Sequence, residues 1–179
     1  MSTVLSSELR EKVMREYRVI IRSLLDTNSQ EIVENASLSH AAVILEEMVR
    51  HAKTSFIAVA QSLNKDAWND QVVQALAEAK QRGVDIDLLV TNQDNASLAH
   101  LNDWDFSVRK CIRKISEKVR ESGIHLENFA VMDRKALRFE VDKEHASAVF
   151  CANSPEAATT ILKHFQCLKE EAIPLGTCP

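Results

Sequence analysis

Residues 78–90 read EAKQRGVDIDLLV, and the interpretation of this stretch decides the fold. A helical run closes on Arg82 and Gly83, with glycine where a helix C-terminus favours a left-handed residue, and VDIDLLV then has the continuous apolar character of a buried strand. Upstream, Asp66 is suited to cap a helix reaching about Gln81, and TSFIAVA (54–60) before it is a second strand-length apolar run. Strand, helix, glycine junction and strand make a βαβ unit. The pattern recurs downstream: Asp105 is placed to cap a helix over 105–122, Gly123 ends it, and IHLENFAVM (124–132) is the next expected strand.

The flanks extend this order. Val13, Tyr17, Ile20, Ile21 and Leu24 recur at helical spacing between Ser7 and Asp26, and the polar stretch TNSQEIVENAS (27–37) leads to a helix over 38–52 with Leu38, Ala41, Leu45, Met48 and Ala52 on one stripe. Two short strands are expected near 136–141 and 146–151, then a final helix opened by Ser154 and Pro155. The fold class is α/β, a mixed sheet flanked by helices. The one marked boundary separates an N-terminal helical extension, 1–36, from an α/β domain, 37–179.

A net charge of -4 and a pI near 5.9 argue against a chain-wide grip on nucleic acid or anionic lipid, so any polyanion contact must be local. Cys111, Cys151, Cys167 and Cys178 form no CxxC pair, and no run approaches the roughly 20 apolar residues of a membrane span. A cytoplasmic protein with reduced thiols and no membrane partner is expected. Only Gly83, Gly123 and Gly176 occur, which excludes the glycine-rich phosphate loops.

Asp85 and Asp87 share a strand face but are too few oxygen ligands for magnesium, and His164 with Cys167 is half of a zinc site without a second half. No metal and no cofactor is expected. The helix expected over 105–122 gathers Arg109, Lys110, Arg113 and Lys114 on one side, with Val108, Ile112, Ile115 and Val119 on the other. That basic face would meet nucleic-acid phosphates or an acidic partner.

The helix ending in RGV before an apolar strand resembles the recurrent unit of the phospholipase D superfamily. The order of parts agrees, from SHAAVILEEMVRHAK (39–53) through the two glycine-to-strand units to NSPEAATTILKHFQCLKEEA (153–172), and the likeness spans roughly residues 36 to 172. The family's motif is H-x-K-x4-D followed by glycine-serine and asparagine; its histidine forms a phosphohistidine and its lysine binds the phosphate. Two motifs are needed per site, from two halves of one chain or from a dimer.

The candidate here is His125, Glu127 and Asp133, in HLENFAVMDRKALRFE (125–140). Glutamate replaces lysine, the aspartate comes one residue late, and Phe139 and Glu140 stand near the expected glycine and serine. A carboxylate at the lysine position repels the phosphate it should neutralise. The resemblance therefore implies a non-catalytic phospholipase D-like domain, a binding or regulatory subunit of a larger assembly with a protein partner and a homodimeric state. The alternatives are a single-motif phosphodiesterase or nuclease active as a dimer, and a nucleic-acid-binding module using the basic helix.

Overall fold

The computed structural model describes residues 7–91, 100–122, 126–142 and 147–174. Eight strands form one mixed sheet: β1 (Ile32–Asn35), β2 (Ser55–Ala60), β3 (Asp85–Val90), β4 (Ile112–Ile115), β5 (Phe129–Met132), β6 (Ala136–Asp142), β7 (Ser147–Cys151) and β8 (Ala172–Pro174). Their order across the sheet is β1-β7-β6-β5-β2-β3-β4-β8. Strands β2, β3 and β4 run parallel, whereas the pairings of β2 with β5, β5 with β6, β6 with β7, β7 with β1 and β4 with β8 are antiparallel.

The helices are α1 (Ser7–Asp26), α2 (Leu38–His51), α3 (Asp70–Gln81), α4 (Phe106–Arg109), α5 (Glu117–Glu121) and α6 (Pro155–Glu170). Strand alternation gives each sheet face its own core. Ile44, Phe56, Leu76 and Phe150 pack on the side of α1, α2 and α3, and Leu89, Ile115, Phe165 and Leu168 on the side of α5 and α6. Gly83 turns α3 into β3 with φ +84, a conformation that glycine adopts without the steric cost of a side chain.

The expected α/β architecture holds, with several local departures. The cap of α3 is Asn69, whose side chain accepts from the backbone N–H of Gln71 and Val72, rather than Asp66. The polar stretch 27–37 contains β1, which pairs with β7, and α1 buries Ile21, Leu24 and Leu25 in the same core as α2. The continuous basic helix over 105–122 does not form: α4 stops at Arg109, residues 112–115 are β4, and α5 begins at Glu117. Val108, Ile112, Ile115 and Val119 are spaced 4, 3 and 4 apart, which satisfies a helical stripe. Here that spacing serves a helix-strand-helix zigzag instead, with Ile112 in one core and Ile115 in the other.

The strand expected over 124–132 is shorter. It begins at Phe129, Leu126 to Asn128 lie outside it, and Gly123 and His125 lie outside the described residues. Among the described residues no helix is long and apolar enough to cross a membrane.

Candidate functional site

The sheet order reverses between β5 and β2: β3 and β4 follow β2 on one side, and β6 and β7 follow β5 on the other. Open α/β sheets leave a crevice beyond the carboxyl ends of their strands at such a point. A cavity of about 340 Å³ lies there, between the end of β2, the start of β5, strand β6 and helix α2. Leu38, Leu45 and Trp68 give it an apolar wall, and Gln61, Asn128, Arg138 and Glu140 bring polar groups to it.

Local pairing fixes these polar groups. The Gln61 N–H donates to Asn128 Oδ1 at 2.6 Å, the Gln61 amide donates to the Leu126 carbonyl at 3.1 Å, and the Asn128 amide donates to Glu140 Oε2. The Glu140 N–H donates to the Asn128 carbonyl at 2.9 Å, tying β6 to the segment ahead of β5. Ala136, Arg138 and Glu140 alternate onto the face of β6 that looks toward α1 and α2.

Arg138 and Glu140 are each only 6% exposed, and Arg138 Nε has no hydrogen-bond partner. Burial pulls the Arg138 guanidinium below its ordinary range, opposed by the charge of Glu140 and by Tyr17. Tyr17 of α1 stacks on His40 of α2 with ring centroids 4.4 Å apart, and its hydroxyl and His40 Nδ1 are also buried without partners. Burial raises the Tyr17 hydroxyl to about 12. A patch of under-satisfied polar atoms therefore lies where α1 and α2 cover β6.

Of the expected trio, His125 lies outside the described residues, and Glu127 and Asp133 are not brought together. Glu127 is half-buried ahead of β5, at the cavity end of that strand, whereas Asp133 follows its other end. From Asn128 to Asp133 is roughly 16 Å along the chain at ~3.3 Å per residue. There the Asp133 carboxylate accepts from the N–H groups of Lys53, Thr54 and Ser55 at 2.8 to 3.2 Å, and from the Thr54 hydroxyl at 2.9 Å. Burial pushes its pKa up, but those donors outweigh burial and hold it below the ordinary aspartate value. Asp133 is a cap on the start of β2.

The basic quartet is divided as well. Lys110 and Arg109 gather around the exposed Phe106 ring, 4.3 and 5.7 Å from its centroid. Arg113 and Lys114 alternate to opposite faces of β4, and Arg113 approaches Asp87 at 3.5 Å. Asp87 also takes Lys169 of α6 at 2.5 Å, so this carboxylate closes a cation pair across the second core, while Asp85 is exposed. The His164 ring lies against Phe129, with centroids 6.3 Å apart.

Of the residues at the cavity, Asn128 is legible by spacing: four residues separate it from Asp133, the interval that the phospholipase D motif keeps between lysine and aspartate. Arg138 carries only the weaker signal of alternation within ALRFEV, which pairs it with Glu140 without saying which face is buried. Gln61 and Trp68 carry none.

The fold is phospholipase D-like. The chain is similar in structure to Nuc from Salmonella typhimurium, a phospholipase D family member, with a TM-score of 0.57 at 20% identity over 79% of this chain and 97% of that one. It is also similar to phosphatidylserine synthase from Haemophilus influenzae, with a TM-score of 0.63 at 16% identity over 91% of this chain and 44% of that one. TrmBL2, an archaeal chromatin protein described with a novel mode of DNA binding, gives a TM-score of 0.63 at 13% identity over 94% of this chain. The chain spans 63% of the length of TrmBL2. No protein-family model matches the sequence, and neither does any curated protein sequence.

Proposed function

We propose that the chain is a non-catalytic phospholipase D-like domain that works as a binding or regulatory subunit of a larger assembly. One observation carries this reading. Counted back from Asp133, the H-x-K-x4-D motif puts Leu126 in place of the histidine and Asn128 in place of the lysine. This register removes the one-residue slip that His125 and Glu127 require. An aliphatic side chain offers no nucleophile, and a neutral amide bonded to Glu140 offers no cation for a transferred phosphate. The buried Glu140 carboxylate beside them adds repulsion.

Purified protein is expected to show no metal-independent turnover of bis-p-nitrophenyl phosphate, single-stranded DNA or phospholipid, and no phosphohistidine on trapping. Turnover abolished by His125→Ala would establish the dimeric phosphodiesterase instead. The same reading includes a homodimer, motivated by the exposed Leu9, Val13 and Ile20 on α1. A 20.1 kDa particle in light scattering at all micromolar concentrations removes it.

A nucleic-acid partner is a second reading, supported by the likeness to TrmBL2. With the quartet divided, Arg109 and Lys110 supply about two phosphate contacts. The slope of log K against log salt on duplex DNA is then roughly -1.8. No binding at low salt ends this reading.

A further inference from the structure

We propose that the cavity beyond the carboxyl end of β2 binds a small organic carboxylate that also carries a hydroxyl or amino donor, with Arg138 taking the carboxylate and Glu140 the donor. This rests on the chain being a binding module rather than an enzyme, and it names the class of ligand.

Arginine cannot shed its charge in a protein, so a guanidinium that is 6% exposed with an unpartnered Nε carries a desolvation cost that the charge of Glu140 offsets only in part. The guanidinium is planar and presents its donors as a fork, which matches two carboxylate oxygens. Arg138 lines the cavity, so a carboxylate seated there would meet the guanidinium side chain and share its charge.

Glu140 narrows the class further. It stands two residues along the same face of β6, also 6% exposed, with one oxygen already accepting from Asn128. An ionised carboxylate has about four acceptor sites, so it can take a further donor from a ligand. The same negative charge disfavours a phosphate dianion, which would face Glu140 across the cavity. The site thus selects a molecule with both polarities and works against inorganic phosphate. Leu38, Leu45 and Trp68 offer an apolar wall to a short carbon body, and about 340 Å³ suits a ligand at the small end of the metabolite range. Leu38, Ala41 and Leu45 of α2 line the cavity together with residues of the sheet.

The test titrates the full chain with the twenty common L-amino acids and with lactate, malate and citrate, read by thermal shift and then calorimetry. Inorganic phosphate, acetate and methylamine serve as single-group controls. At least one compound with both groups is expected to raise Tm and to bind at least tenfold more tightly than any control. Arg138→Met should weaken it at least 100-fold and Glu140→Gln at least tenfold. Ser62→Leu, which adds bulk to the cavity lining and leaves both charges in place, should abolish binding and tests the site without touching Arg138. Tighter binding of phosphate, a flat titration across the panel, or binding that survives Ser62→Leu would overturn the proposal. A flat titration leaves the absence of turnover standing, whereas turnover of bis-p-nitrophenyl phosphate removes the binding-module reading and leaves the titration readable.

Discussion

Two buried charges lie under α1 and α2, and they are treated in opposite ways. Glu47 of α2 is fully buried, yet its carboxylate takes Arg18 at 2.9 Å and Arg22 at 2.9 and 3.1 Å, while the neighbouring Glu46 takes Arg18 at 2.7 Å and Arg50 at 3.0 Å. Burial pushes Glu47 up, and the hydrogen bonds and charges of Arg22 and Arg18 bring it net below its ordinary value. Arg138 is nearly as buried, yet its Nε has no hydrogen-bond partner and the charge of Glu140 does not outweigh its burial. The first arrangement clamps α1 to α2. The second holds a charge ready beside a cavity, at a cost to stability that Glu140 offsets in part and an incoming group would offset further.

The largest effect should come from unpairing the first charge. Arg18→Met with Arg22→Met leaves Glu47 buried with His51 as its remaining basic neighbour, 3.8 Å away, and is expected to cost about 3 kcal/mol in urea unfolding. A cost below that of either single variant would break the contrast. Asp133→Asn comes next, because asparagine tolerates the positive φ of 49 but loses the charge-assisted bonds to three backbone N–H groups. About 1.5 kcal/mol should be lost at neutral pH.

The pH dependence of that loss follows from the depressed folded value of Asp133. Its contribution is complete above the ordinary aspartate range and disappears as pH falls through the folded value, so the gap between parent and variant should close in acid. A gap that widens in acid would contradict the cap. The smallest and most diagnostic effect is that of Arg138→Met, expected to leave stability unchanged or to raise it by about 1 kcal/mol in the absence of ligand. A loss of several kcal/mol would mean that the guanidinium is already satisfied, and the two charges would then be alike.

Much of the architecture was legible in the sequence because burial on both faces writes strands as unbroken apolar runs: SFIAVA and DIDLLV need no partner to be recognised. Short edge strands leave no such trace. IVEN and AIP form β1 and β8 because β7 and β4 offer them open edges, a tertiary cause absent from their own residues. At 105–122 the local pattern pointed the wrong way, since a strand crossing between two cores can copy helical spacing. At the site, Asp133 stood out as a polar residue ending a strand, but its role is fixed by the Lys53–Ser55 backbone about 80 residues away. The burial of Arg138 depends on α1 and α2 folding over β6, which no residue near it announces.

The pairing of β1 with β7 also bears on how the chain acquires this shape during synthesis. Ile32 aligns with Cys151, so the strand next to α1 has nothing to pair with until Ser147–Cys151 has been made. Strand β2 similarly waits for Phe129–Met132 on one side, although its parallel neighbour β3 arrives much sooner. The early nascent product is therefore α1, α2, β2, α3 and β3, with one flank of β2 bare. Closure of that flank is a late event of high contact order, and a chain cut before β7 would leave β1 without a partner and the outer edge of β6 bare.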